Sequence, residues 1–187
     1  MVSLVIVSHS RALAEAAVAL ARQMAAPGVD IAIAAGTGAG HQEFGTDAVE
    51  ISAAILLVNN ADGVAVLMDL GSAIMSAEMA LELLPAEIRA HVRLCPAPFV
   101  EGALVSAVQA GLGSNLDTVC SEASHALLPK QEQLGTPSAV PAQPNATSST
   151  LYDPLAAQGH EVTVTLHNAH GLHARPAARF VQLAAGY

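Results

Sequence analysis

Short apolar runs alternate with longer stretches of helical periodicity over residues 1–128, and that alternation predicts a parallel sheet joined by crossover helices. Four units can be followed. Residues 3–7 form a buried strand, followed by Ser8-His9-Ser10 and a helix over residues 11–24 whose stripe is Leu13, Ala17, Leu20 and Met24. Pro27-Gly28 ends that helix. Residues 30–34 are the second strand, and a glycine-rich loop over 36–45 leads into a helix over 46–58, for which Thr46 is the candidate N-cap. Residues 64–68 are the third strand, ending at Asp69-Leu-Gly-Ser72, with a helix over 73–84 behind it. Residues 92–95 are the fourth strand. Pro96-Ala-Pro98 then interrupts the pattern before two helical stretches, 100–110 and 115–128. The predicted architecture is a mostly parallel, four-stranded open α/β sheet with helices on both faces.

Residues 129–158 change character. Five prolines among Ser, Thr, Gln and Ala read as a flexible linker, whose root-mean-square span is roughly 30 Å. Beyond it, Glu161-Val-Thr-Val-Thr-Leu has the alternation of a strand, and Pro176 opens a helical run of good helix formers. Residues 159–187 are expected to be an incomplete α+β domain, since fewer than ~40 residues rarely bury enough surface to fold alone.

Composition narrows the function classes. The chain has 187 residues, is 52% hydrophobic and carries 7 basic against 16 acidic residues for a net charge of −9. That balance argues against nucleic acid or an anionic membrane surface as partner. No apolar run approaches a membrane span, and the N-terminal residues read as a strand and not as a signal peptide. The expected location is the cytoplasm. Cys95 and Cys120 have no CxxC spacing and are expected to be free thiols. The histidines at 41, 91, 125, 160, 167 and 170 share no metal-ligand spacing and read as exposed or linker residues, so no metal site is expected. Met24, Met68, Met75 and Met79 read as core filler.

The candidate chemistry collects at strand ends, because open parallel sheets bind ligands outside the carboxyl ends of their strands. His9 follows strand one, Thr37 and Gly38 follow strand two, and Asp69, Gly71 and Ser72 follow strand three. A neutral imidazole is nucleophilic at one nitrogen when the other keeps its proton, and a carboxylate such as Asp69 can fix that tautomer. Asp69 has a competing reading as a helix N-cap. Ser10, Thr37 and Ser72 offer hydroxyls, and helix starts offer N–H groups, to a phosphoryl oxygen. Near the end of the chain, His173 and Arg175 stand just before the Pro176 helix. A helix N-terminus with a histidine and a fixed guanidinium suits a phosphohistidine.

Two resemblances rest on these residues. Asn168 with Gly171-Leu-His-Ala-Arg-Pro-Ala resembles the active-site signature of HPr, the histidine phosphocarrier of the phosphoenolpyruvate:sugar phosphotransferase system, over about the first third of such a domain. Leu4-Val-Ile-Val-Ser-His-Ser, Gly45-Thr-Asp-Ala, Met68-Asp-Leu-Gly-Ser-Ala and Ala97-Pro-Phe-Val-Glu-Gly look like the mannose-class IIA domain. Within that class they look most like the phosphotransferase component of phosphoenolpyruvate-dependent dihydroxyacetone kinases. The resemblance implies His9 as phosphoryl acceptor, Asp69 as its orienting partner, and His173 with Arg175 as an upstream carrier site. It implies phosphate arriving from phosphoenolpyruvate through enzyme I and HPr and leaving for ADP on kinase subunits that phosphorylate dihydroxyacetone, with no resident cofactor. A homodimer is also expected. The alternatives are a IIA component of a sugar transport system and a non-catalytic sensor of phosphorylation state.

Overall fold

The computed structural model describes residues 1–135. The predicted linker from 136 onward, the strand and helix beyond it, and His173 and Arg175 lie outside the described residues.

Four parallel strands, β1 (Ser3–Ser8), β2 (Ile31–Ala35), β3 (Val64–Met68) and β4 (Val92–Cys95), stand in the order β2-β1-β3-β4. Alternate β1 side chains serve opposite faces, as the two-residue period of a strand requires. Val5 and Val7 join Val66 and Met68 in a core covered by α2 (Ala48–Val58) and α3 (Gly71–Glu82). Leu4 and Ile6 join Ala65 and Leu67 in a second core, covered by α1 (Arg11–Met24), α5 (Phe99–Gly111) and α6 (Leu116–Ser124). Both faces are therefore buried, which is why β1 and β3 read as unbroken apolar runs. A short α4 (Ala86–Arg89) precedes β4.

Strand β1 connects to β2 on one side and pairs with β3 on the other. The crevice at the ends of β1 and β3 is thus the switch point of the sheet, and His9 and Asp69 are the residues that leave those two strands there.

Several sequence expectations are corrected. The inward stripe of α1 is Ala14, Ala17, Val18 and Ala21, while Leu13, Leu20 and Met24 face outward. Small residues win because α1 packs closely on α5, whose own inward residues are Ala103, Ala107 and Ala110. Of the methionines, Met68 is buried, whereas Met24, Met75 and Met79 are exposed. Helix α2 is capped by Asp47, whose carboxylate accepts from the N–H groups of Val49 and Glu50; Thr46 instead shares a 2.8 Å hydrogen bond with Ser76. Cys95 and Cys120 are not free thiols: they are joined in a disulfide between β4 and α6, with Cα atoms 5.3 Å apart. The sequence pattern held no trace of that contact, because nothing in a spacing of 25 residues shows that α6 returns over β4.

The predicted domain end at 128 falls at the start of α7 (Leu128–Gln133), and the predicted linker therefore begins inside a helix. Lys130 on that helix pairs with Glu101 on α5, and this hydrogen bond holds the Glu101 carboxyl below its usual range. Among the described residues, no helix is long and apolar enough to cross a membrane.

Candidate functional site

Strand β1 ends in three polar residues, and each is held by a different contact. Ser8 is fully buried at the last strand position, where its carbonyl accepts from Gly36 N–H. Ser10 is the N-cap of α1, its side chain accepting from Leu13 N–H. His9 lies between them, mostly buried, with its carbonyl accepting from Gly45 N–H. The imidazole is thereby aimed across the crevice at the end of β3.

Asp69 meets it there. One carboxylate oxygen, Oδ1, accepts from His9 Nδ1 at 2.9 Å and from Leu70 N–H at 2.7 Å. The other, Oδ2, accepts from His9 backbone N–H at 2.8 Å and from the Ser8 hydroxyl at 2.9 Å. Burial alone would raise the Asp69 pKa. The hydrogen bonds from the His9 backbone and ring and from Ser8, with the His9 charge, outweigh it and hold the carboxyl below its usual value. An ionised carboxylate only accepts, so Nδ1 carries a proton, and in the neutral ring Nε2 is left with its lone pair.

That lone pair points at the start of α3. Ser72 Oγ lies 2.9 Å from Nε2 and, with the tautomer so fixed, the hydroxyl donates to it. Helix α3 begins at Gly71 with no side-chain cap; Ala73 N–H is bonded to the Leu70 carbonyl, and the N–H groups of Gly71 and Ser72 open the helix beside Ser72 Oγ. A Cβ added at Gly71 would meet nothing within 4 Å, so the space beside this residue is open. A basic nitrogen, a hydroxyl and uncapped helix N–H groups together can accept and hold a phosphoryl group.

The other predicted residues are placed differently. Asp69 is not a side-chain cap of α3; the cap position is Leu70. Thr37 and Gly38 lie in the glycine-rich loop, where Thr37 pairs with Glu43 through backbone hydrogen bonds in both directions. Neither is hydrogen-bonded to His9 or Asp69. Their effect is indirect: the loop folds back so that Gly45, packed against the Thr37 side chain, reaches His9. This return requires Gly36 at φ 74°, where a Cβ would stand 2.4 Å from the His41 carbonyl oxygen.

Sequence reasoning missed Ser8 as part of the site. The signal was present, since a serine ending a fully buried strand must find a hydrogen-bond partner. Of the other histidines, His91 and His125 are exposed, His41 is half-buried with Nδ1 3.5 Å from the Glu50 carboxylate, and those at 160, 167 and 170 lie outside the described residues. Among the described residues, no three His, Cys, Asp or Glu side chains gather in a metal-binding arrangement.

Residues 3–120 match the family described as PTS system fructose IIA component, and residues 160–187 match the PTS HPr component phosphorylation site. The chain is 48% identical over 185 residues to the phosphoryl donor subunit DhaM of PEP-dependent dihydroxyacetone kinase from Escherichia coli (strain K12), covering 97% of this chain and 38% of that protein. It is 37% identical over 122 residues to the corresponding subunit of PEP-dependent dihydroxyacetone kinase 2 from Listeria innocua, covering 65% of this chain and 96% of that one. A crystal structure of a protein of unknown function, EF1359, superposes with a TM-score of 0.58 at 30% identity, covering 66% of this chain and 93% of the other. The chain thus spans 96% of a short relative but under two fifths of the length of the long one.

Proposed function

The chain belongs to the IIA family of the phosphotransferase system, among the phosphoryl donor subunits of PEP-dependent dihydroxyacetone kinase, and from that membership we propose that His9 Nε2 is its phosphoryl carrier atom. The single observation that carries this reading is the arrangement around His9: Nδ1 held by Asp69 and Nε2 held only by the Ser72 hydroxyl beside the uncapped start of α3.

In the accepting step, the Ser72 hydroxyl turns from Nε2 as phosphorus approaches. The Nε2–P bond forms while the N–P bond of the donor's phosphohistidine breaks, and that electron pair returns to the donor imidazole. No proton need leave His9, because Nδ1–H is retained. The positive charge that the ring acquires lies against the Asp69 carboxylate, and the phosphoryl oxygens lie against Ser72 and the N–H groups of Gly71 and Ser72. Catalysis is then mainly positioning and charge stabilisation.

The donor in this reading is a phosphorylated HPr domain charged by enzyme I from phosphoenolpyruvate. The acceptor is ADP held on a kinase subunit, which phosphorylates dihydroxyacetone on a companion subunit. Ser10, Thr37 and Gly38 support the pocket from α1 and the glycine-rich loop. His173 and Arg175, in the segment that matches the HPr phosphorylation site, are assigned the upstream carrier step. The reaction is placed in the cytoplasm, where those carriers work.

The test is labelling from phosphoenolpyruvate with purified enzyme I and HPr. The chain should acquire phosphate that is stable to base and labile to acid, and His9→Ala should lose the label borne by residues 1–135. Retention of that label in the variant would overturn the assignment.

A further inference from the structure

Among the described residues, Ser8 is the one fully buried hydroxyl hydrogen-bonded to Asp69, and it binds the carboxylate oxygen that does not meet the His9 ring. Its Oγ donates to Asp69 Oδ2 and accepts from Ser10 N–H at 3.1 Å. One side chain therefore links the end of β1, the end of β3 and the residue that caps α1. Asp69 Oδ1, which orients the His9 ring, sits at the opposite corner of the same carboxylate.

We propose that Ser8 is a positioning residue for phosphoryl transfer, setting the carboxylate plane of Asp69 so that Oδ1 lies in line with His9 Nδ1–H. This rests on His9 being the acceptor. The physical reason is geometric. A carboxylate rotates about its Cβ–Cγ bond at little cost unless both oxygens are pinned. Oδ1 is pinned by Leu70 N–H as well as by the ring, and Oδ2 by His9 N–H and Ser8. Of these four donors, two are backbone groups that no side-chain substitution removes and one is the ring being oriented. Ser8 is the remaining side-chain donor. Without its hydroxyl, Oδ2 loses a donor and Ser10 N–H loses its acceptor just where His9 must be aimed. Oδ2 is then held by His9 N–H alone, the carboxylate is less firmly set, and the tautomer with the proton on Nε2, in which the attacking lone pair is absent, gains population.

Ser3 supplies a matched control. It is also a buried serine on β1, but at the opposite end of the strand, where its hydroxyl accepts from Asn60 Nδ2. The experiment uses the full 187-residue chain in three forms, wild type, Ser8→Ala and Ser3→Ala, with Ser8→Thr to restore the hydroxyl. The first readout is the 15N NMR spectrum of the histidine rings, with the His9 signals identified by their loss in His9→Ala. The second is the rate of phosphorylation by phospho-HPr. Wild type and Ser3→Ala should show His9 protonated at Nδ1, and Ser8→Ala should show a mixture of tautomers with phosphorylation slowed about tenfold or more. Ser8→Thr should recover both. An unchanged tautomer in a folded Ser8→Ala overturns the proposal, as does equal slowing in Ser3→Ala. The NMR arm does not depend on transfer, so a tautomer shift with label retained in His9→Ala would instead refute His9 as acceptor.

Discussion

Asp69 receives four hydrogen bonds, and they give it a stability contribution whose pH window can be stated. Its folded pKa lies below the ordinary aspartate value of 3.8, so the folded state holds the ionised form more tightly than the unfolded chain does. The contribution is complete above that value and is lost as pH falls through the folded pKa. In acid titrations followed by circular dichroism, wild type should lose stability more steeply than Asp69→Asn below pH 3.8. Parallel titration curves would contradict the geometry. At neutral pH, Asp69→Asn should fold yet accept phosphoryl at least about a hundredfold more slowly, since an amide oriented to donate to Nδ1 favours the wrong tautomer.

At the scale of elements, helix starts decide both the fold and the site. Asp47 caps α2 through two N–H groups, and Asp47→Ala should cost about 1 kcal/mol in chemical denaturation with little change in the rate of labelling, because the hydrogen-bond partners of His9 are Gly45, Asp69 and Ser72 and none lies in α2. Helix α3 has no such cap, which leaves its first turn for an anion. The strands were legible in the sequence because β1 and β3 are buried on both faces, so β3 is apolar throughout and β1 is apolar between its two terminal serines. His9, Asp69 and Ser72 were legible because strand ends in a parallel sheet share one rim. The inward face of α1 was not legible. Ranking by side-chain size selects Leu13 and Leu20, whereas close packing on the alanines of α5 selects Ala14 and Ala21. The buried role of Ser8, the pairing of Cys95 with Cys120 and the return of α7 to Glu101 each depend on contacts between distant parts of the chain.

On the scale of the whole molecule, the outward residues of α2 and α3 include Leu56, Leu57, Met75 and Met79, with Leu83 just past the end of α3, an apolar surface that the described residues leave exposed. Surfaces of this kind mark association more often than solvent contact. The expected state is a homodimer: light scattering at micromolar concentration should give twice the chain mass, and Leu57→Asp with Met79→Asp should give the monomer. A wild-type monomer would contradict it. The central claim, however, is chemical. Its most direct measurement is a transfer assay in which the chain, phosphorylated through enzyme I and HPr, is mixed with ADP-loaded kinase subunits and dihydroxyacetone. Dihydroxyacetone phosphate should form with wild type and be absent with His9→Ala. Product formed at the wild-type rate by His9→Ala, or stable phosphohistidine with no transfer, would contradict the account.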